Sequence, residues 1–309
     1  MSELRFDGRV AVVTGAGRGI GRAYALLLAA RGAAVVVNDL GGSMGGAGTD
    51  AAPATGVADE IAAAGGAAVA DTNDVSSPAG AQALVDTAVE RFGRVDVLVA
   101  NAGIVRWAGF PEADEENLAG HWAVHVGGSF HTARAAWPHM AGQRYGRIVM
   151  TTSTGMLGLP NNISYAAAKA GVLGLARSLA TAGAKCDIKV NLVAPAAMTR
   201  MARRPSEAHA GDGPVDDPMA PHLVAPLVAY LAHESCPVTG ELYAAGAGRF
   251  ARMFLACAPG YVHDAAGPGP TIEDVAEHWG TINDETGYSV PADLPDWSAT
   301  FLAHLGRDA

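Results

Sequence analysis

Seven short apolar runs recur along the chain, separated by longer Ala/Leu-rich segments, and this alternation limits the possible folds more than any other feature. The runs are "RVAVVT" (9–14), "AAVVVND" (33–39), "GAAVADTND" (66–74), "VDVLVAN" (95–101), "GRIVMTTS" (146–153), "IKVNLVAP" (188–195) and "ELYAAG" (241–246). Each is nearly continuous in apolar residues, as expected of strands buried on both faces. Strands of that kind alternating with helical segments predict an α/β fold, a doubly wound parallel sheet with helices on both faces. Between the first two runs, Ile20, Tyr24, Leu27 and Leu28 form one helical stripe, and Gly32 marks its end.

Two stretches break the rhythm. "GGSMGGAGTDAAPATG" (41–56) reads as a mobile loop rather than a binding element. Residues 200–221 are polar, rich in Pro and Gly, and long for a loop, which suits a substrate lid or disorder. The expected organisation is a catalytic domain over residues 1–250 and a C-terminal extension over 251–309. That extension has one good helix start, "TIEDVAEHW" with Thr271 as N-cap, and too little apolar periodicity for a core of its own. It is therefore expected to pack on the main domain.

Half of the 309 residues are apolar and 17% are charged, enough to fill a sizeable core. A net charge of -10 argues against a nucleic-acid partner, which would require a basic face. No uninterrupted run of about 18 apolar residues is present, so no membrane span is expected. The start "MSELRFDGRV" is charged and unlike a signal peptide, and the end "GRDA" is not an address of the Ser-Lys-Leu type. Three cysteines without pairing or metal spacing complete an expectation of a cytoplasmic protein. His131 and His139 lie near Trp137 without a third ligand, so no metal is expected.

The first run leads into "TGAGRGIG", with Gly15, Gly19 and Gly21 at the mouth of the first helix. Such a turn lets backbone approach a pyrophosphate, whose charge the helix N-terminus favours, so a Rossmann-type dinucleotide site is expected here. The second run ends in Asn38-Asp39. A carboxylate there can accept both adenosine ribose hydroxyls of NAD and would repel the 2′-phosphate of NADP. Arg18 pulls the other way, since it could pair with that phosphate. A buried like-charge clash outweighs one flexible Arg, so NAD is the expected cofactor. Asp39 could instead cap the glycine turn that follows it.

"SYAAAKAG" (164–171) is built to be helical yet carries Tyr165 and Lys169 four residues apart, on one face of that helix. An ammonium beside a phenol favours the phenolate and would draw its pKa from about 10 toward neutral, where Tyr can exchange protons. An exposed Tyr beside a solvated Lys is the plain alternative.

In order along the chain, "TGAGRGIG", "NDV" (73–75), "NAG" (101–103), "TTS" (151–153) and "YAAAK" (165–169) resemble the motifs of the short-chain dehydrogenase/reductase family. Within it, "LRFDGRV", "VVVNDLGG", "YGRIVMT", "HESC" and the tail from "TIEDVAEHW" are similar to the (3R)-hydroxyacyl-CoA dehydrogenase region of peroxisomal multifunctional enzymes of type 2. The resemblance implies an NAD-dependent oxidoreductase interconverting a secondary alcohol and a ketone. Its small-molecule substrate would be a 3-hydroxyacyl-CoA, or alternatively a hydroxysteroid. It implies a homodimer or homotetramer as well. A dinucleotide-binding sensor without turnover is the reading from a different class.

The same resemblance implies residue roles. Tyr165 would be the general acid/base, Lys169 would lower its pKa and hold the nicotinamide ribose, and Ser153 would polarise the substrate carbonyl. Asp74 and Val75 would contact adenine, and Asn101 with Ala102 and Gly103 would steady the cofactor strand. Ile20, Pro195 and Thr199 complete the expected cofactor contacts. Three departures stand out. Ser153 lies twelve residues before Tyr165 where the family has thirteen, a distance that Thr152 occupies; strand register favours Ser153. His125 stands where many members carry an Asn that anchors a proton-relay water, and could equally be a packed His. "APAAMT" lacks the usual Pro-Gly, and Thr199 sits one residue early, so its contact to the carboxamide is a loose match. Trp107, Trp122 and Trp137 could line a cleft or simply pack. Arg200, Arg203 and Arg204 could meet a CoA phosphate or form a solvated basic face.

Overall fold

The computed structural model of the chain describes residues 3–202, 217–264 and 269–305. All seven runs form strands: β1 (Val10–Thr14), β2 (Ala34–Asn38), β3 (Ala68–Asp71), β4 (Val97–Ala100), β5 (Gly146–Thr151), β6 (Ile188–Ala196) and β7 (Leu242–Gly246). Their neighbouring pairs are all parallel. β3 stops short of its run because the Asp71 carboxylate turns the chain. It accepts from Asn38 Nδ2 and Asn73 Nδ2, both at 2.7 Å, and from the Asn73 N–H at 3.0 Å.

An eighth strand, β8 (Arg249–Met253), completes the sheet in the order β3-β2-β1-β4-β5-β6-β7-β8. Two residues join it to β7, Ala247 at φ 49° and Gly248 at φ 72°. Left-handed conformation at both central positions is the hairpin turn that matches strand twist, so β8 runs back beside β7.

Helices α1 (Gly19–Ala30), α2 (Ala52–Ala63), α3 (Pro78–Phe92), α4 (Glu115–His121), α5 (Gly128–Gln143), α6 (Ile163–Gly183) and α7 (Ala225–Ala232) cover the sheet. One core unites Tyr24 and Leu28 of α1, Val57 and Ile61 of α2, and Val228 and Leu231 of α7. They pack on Val13, Val35, Val97, Val149 and Val193 from five strands. α3, α5 and α6 also pack against the strands, with Leu84, Met140 and Val172 fully buried. α4 runs into α5 through a π-helical segment, Trp122–Gly127.

The expectation that residues 41–56 form a mobile loop does not hold. α2 begins inside that stretch, with the Ala52 N–H donating to the Asp50 carboxylate at 2.9 Å. The remainder is tied to the chain after β4: Val105 N–H donates to the Met44 carbonyl at 2.8 Å, and Arg106 Nε to the Gly45 carbonyl at 2.7 Å. Glycine content signalled freedom, but it serves close backbone contact here.

The chain divides into two compact units, Met1–Arg252 and Met253–Ala309. The second holds short helices, one of them at Ile272–Glu277, where Thr271 and Asp274 form a reciprocal capping box. Most of the expected lid lies outside the described residues, because 203–216 are not among them. No helix among the described residues is long and apolar enough to cross a membrane. Leu28 joins helix to sheet with no exposed surface. Leu28→Ala should lower the free energy of unfolding by about 2–5 kcal/mol in a urea titration, and a loss below about 1 kcal/mol would contradict this packing.

Candidate active site

A cleft of about 760 Å³ opens where the parallel strands end. Its first wall is the turn after β1. Thr14 Oγ1 accepts from the Asn101 and Ala102 N–H groups, both at 2.9 Å. In return, Asn101 Nδ2 donates to the carbonyls of Thr14 at 2.9 Å and Gly15 at 3.2 Å. The ends of β1 and β4 are thus tied together beside the glycine turn. Gly15 has φ 63°, and a Cβ there would lie 2.9 Å from Ala102 Cα. A Cβ on Gly21 would collide with the Gly15 carbonyl oxygen. What remains is a side-chain-free cradle at the head of a 12-residue helix, which suits the pyrophosphate of a dinucleotide.

Asp39 stands next to this cradle. One carboxylate oxygen accepts from the Gly17 N–H at 2.9 Å and the other from the Gly41 N–H at 2.7 Å. It therefore caps the following turn and still lines the cleft, with lone pairs left for two hydroxyls. Arg18 also lines the cleft and reaches the Gly42 carbonyl at 3.4 Å. Gly19, Ile20, Asp74, Val75 and Gly103 border the same space, as do Pro195, Thr199 and Arg200. Arg203 and Arg204 lie outside the described residues.

The other end of the cleft gathers the chemistry. Ser153 leaves the end of β5, its Oγ accepting from the Gly155 N–H at 3.0 Å, and hydrogen-bonds the Tyr165 phenol. Thr152 is turned away: its hydroxyl donates to the Lys169 carbonyl at 2.6 Å and is buried. The Lys169 ammonium donates to the Thr151 carbonyl at 2.7 Å and lies 5.7 Å from the centre of the phenol ring.

The expected electrostatics need correcting. Burial pushes the Tyr165 phenol above its ordinary pKa, and the hydrogen bond from Ser153 opposes that without reversing it. Burial also pushes Lys169 down, to about 7. Both shifts have the same main cause, because burial disfavours each ion separately. Spacing showed that the two groups are neighbours but not how deeply they are buried.

His125 belongs to the π-helical segment and does not line the cleft. Its ring packs behind Gly103, edge-on to Tyr165 at 5.3 Å and stacked on His121 at 5.9 Å. Burial holds its pKa well below the usual range, so the ring is neutral. Nε2 lies 2.9 Å from the Ile104 carbonyl and so must donate to it, which leaves Nδ1 as a buried acceptor with no partner among the described residues. Of the tryptophans, only Trp107 lines the cleft. Among the lining residues that reading from sequence missed are Met44 from the supposedly mobile loop, Arg106 and Asn162. A Gly-rich composition hid the first, and nothing in their local sequence marked the others.

Comparison with known proteins then decides the family. Residues 9–210 match the model of the short chain dehydrogenases. The chain belongs to the short-chain dehydrogenase family. It is 43% identical over 99% of its length to peroxisomal multifunctional enzyme type 2 of Drosophila melanogaster, of which it spans half. The solved full-length structure of that fly protein matches with a TM-score of 0.80 at 36% identity, over 98% of this chain and 50% of that one. A short-chain type dehydrogenase/reductase of Mycobacterium tuberculosis is 43% identical over 91% of this chain and 96% of its own. A 7α-hydroxysteroid dehydrogenase solved with NADH and 7-oxo glycochenodeoxycholic acid matches with a TM-score of 0.69 at 30% identity, over 80% of this chain and 98% of that one.

This dehydrogenase is an oxidoreductase of a family that binds a nicotinamide dinucleotide. The expected cytoplasmic location is overturned. Fly, mouse and yeast relatives are named as peroxisomal enzymes, so the cytoplasmic expectation does not stand. Unpaired thiols speak to redox conditions and carry no address.

The buried Lys169 makes a prediction about stability. Between about pH 7 and 10, the unfolded chain holds a proton on Lys169 that the folded chain has released. Stability should therefore rise with pH across that window, by at most about 1.4 kcal/mol per unit. Lys169→Met should flatten this part of the profile in urea unfolding; an unchanged slope would place the proton elsewhere.

Proposed function

We propose that the chain is an NAD-dependent dehydrogenase that interconverts a 3-hydroxyacyl-CoA and its ketone. The observation that carries the reaction is the meeting of Ser153, Tyr165 and Lys169 in the cleft that also holds the glycine cradle. The substrate is supported by the resemblance to (3R)-hydroxyacyl-CoA dehydrogenases and by relatives named as multifunctional type 2 and hydratase-dehydrogenase-epimerase enzymes. A hydroxysteroid is the second reading, supported by the matching 7α-hydroxysteroid dehydrogenase. We assign catalysis to residues 1–250, where every residue lining the cleft lies, and expect a homodimer or homotetramer from the family resemblance.

In this reading, Gly15, Gly19 and Gly21 hold the pyrophosphate, Asp39 the adenosine ribose, Asp74 and Val75 the adenine, and Lys169 the second ribose. A bound oxidised nicotinamide would supply the hydride acceptor for the carbinol carbon and a positive charge in the site. Tyr165 takes the hydroxyl proton, while the Ser153 hydroxyl donates to the same substrate oxygen and holds it in place. Because burial raises Tyr165, added positive charge nearby is what makes its ionisation possible at moderate pH. His125 packs edge-on to the phenol and supports it from behind.

Steady-state turnover of 3-hydroxyacyl-CoAs and hydroxysteroids, followed at the nicotinamide absorbance, tests the reading. Tyr165→Phe should abolish turnover while dinucleotide affinity stays near its original value. Ser153→Ala should lower kcat by about 10²–10³, whereas Thr152→Ala should act mainly on stability, since its hydroxyl is spent on the Lys169 carbonyl. Substantial activity in Tyr165→Phe would end the assignment.

Cofactor choice follows from Asp39 and Arg18. kcat/KM with NAD should exceed that with NADP by at least about tenfold, or ~1.4 kcal/mol. Asp39→Ala should narrow the gap, and equal efficiency in the unaltered enzyme would show that Arg18 prevails.

A further inference from the structure

Buried polar atoms in folded proteins almost always have hydrogen-bond partners, and each one left without costs about 1–3 kcal/mol. Asn162 departs from this at both ends of its side chain. The residue has no exposed surface, and neither Oδ1 nor Nδ2 has a partner among the described residues. It occupies the N-cap of α6, yet its side chain makes no capping bond.

Its backbone, in contrast, is fully employed. The N–H donates to the Leu159 carbonyl at 3.0 Å, and the carbonyl accepts from the Ala166 N–H at 3.1 Å. An isolated parallel bridge pairs it with Ala108, and the Ile163 N–H donates to the Ala108 carbonyl at 3.3 Å. The unpartnered amide is therefore not the by-product of a loose segment. Next to Ala108 stands Trp107, whose indole Nε1 is likewise buried without a partner among the described residues. Both residues line the cleft that contains Ser153 and Tyr165. Asn162 precedes Tyr165 by three residues, about one helical turn.

A carboxamide brings two N–H donors and one acceptor, and an indole brings one donor. Together they offer a surplus of donors in the cleft that holds Ser153 and Tyr165, and the complement of that surplus is an oxygen that only accepts. A 3-hydroxyacyl thioester carries such an oxygen on C1, two bonds from the carbon that is oxidised. A steroid alcohol holds its other oxygens rings away.

We infer that Asn162 and Trp107 bind the C1 carbonyl oxygen of a 3-hydroxyacyl thioester and so select alcohols with a carbonyl two bonds from the reacting carbon. This rests on the dehydrogenase reading above and names the substrate feature that its site recognises. Neither residue exchanges protons with the substrate; they position it.

The test compares 3-hydroxybutyryl-CoA with its thioether analogue, in which a methylene replaces the C1 carbonyl and every CoA contact is kept. The unaltered enzyme should prefer the thioester in kcat/KM by about a hundredfold or more, since a site built to hydrogen-bond a group discriminates strongly against its absence. Asn162→Leu and Trp107→Phe should each shrink that preference by about tenfold. Equal oxidation of the two compounds by the unaltered enzyme would overturn the inference and leave the dehydrogenase reading standing. So would variants that lose activity on both compounds in equal proportion, the mark of a structural role. If Asn162→Leu does not fold, the unaltered enzyme and Trp107→Phe still decide. Failure to oxidise either compound or any other secondary alcohol, with NAD or NADP, would remove the reading itself and the inference with it.

Discussion

Seven parallel strands all finish on the same side of the sheet, and the peptide groups just past their ends have no ladder to join. Everything else in the molecule depends on how that edge is satisfied. At the reversal of strand order between β1 and β4, Thr14 accepts from two N–H groups of the neighbouring strand end, and Asn101 answers with two bonds to carbonyls. This small exchange fixes the glycine turn, and the turn in turn presents the Gly17 N–H to Asp39. Asp39 then holds the start of the Gly-rich loop through Gly41. One end of the cleft is therefore built by relay, each contact positioning the next.

The other end is governed by burial, which holds the Tyr165 phenol above its ordinary pKa and Lys169 below its own. Ser153 and Thr152 show how adjacent hydroxyls acquire different tasks. Successive residues leaving a strand face opposite ways, so one hydroxyl reaches the phenol and the other is consumed by the backbone of α6.

Sequence carried the sheet well for a physical reason. Strands buried on both faces must be apolar throughout, and that signature survives without any knowledge of neighbours. The glycine turn and the four-residue spacing of Tyr165 and Lys169 were legible because each is local. What escaped was non-local. β8 has exposed residues such as Phe250 and Arg252 and so lacks a buried strand's signature. Anchoring of the 41–50 loop depends on Val105 and Arg106, some sixty residues away. The direction of the Tyr165 shift depends on burial depth, and the orphaned amide of Asn162 is visible only once its surroundings are known. The π-helical insertion that carries His125 is likewise invisible to a 3.6-residue pattern.

The hairpin that adds β8 has a meaning for solubility. Parallel sheets end in rows of unpaired amides that can recruit strands from other chains. Reversing direction at Ala247 and Gly248 places a short, charged strand at that border, and Arg252 is clamped to Glu241 by two bonds at 2.6 and 2.8 Å. An edge so brief and so charged is a poor template for growth. The least buried strand of the sheet thus forms its selvedge, a border whose short length and exposed arginines offer little for another strand to pair with.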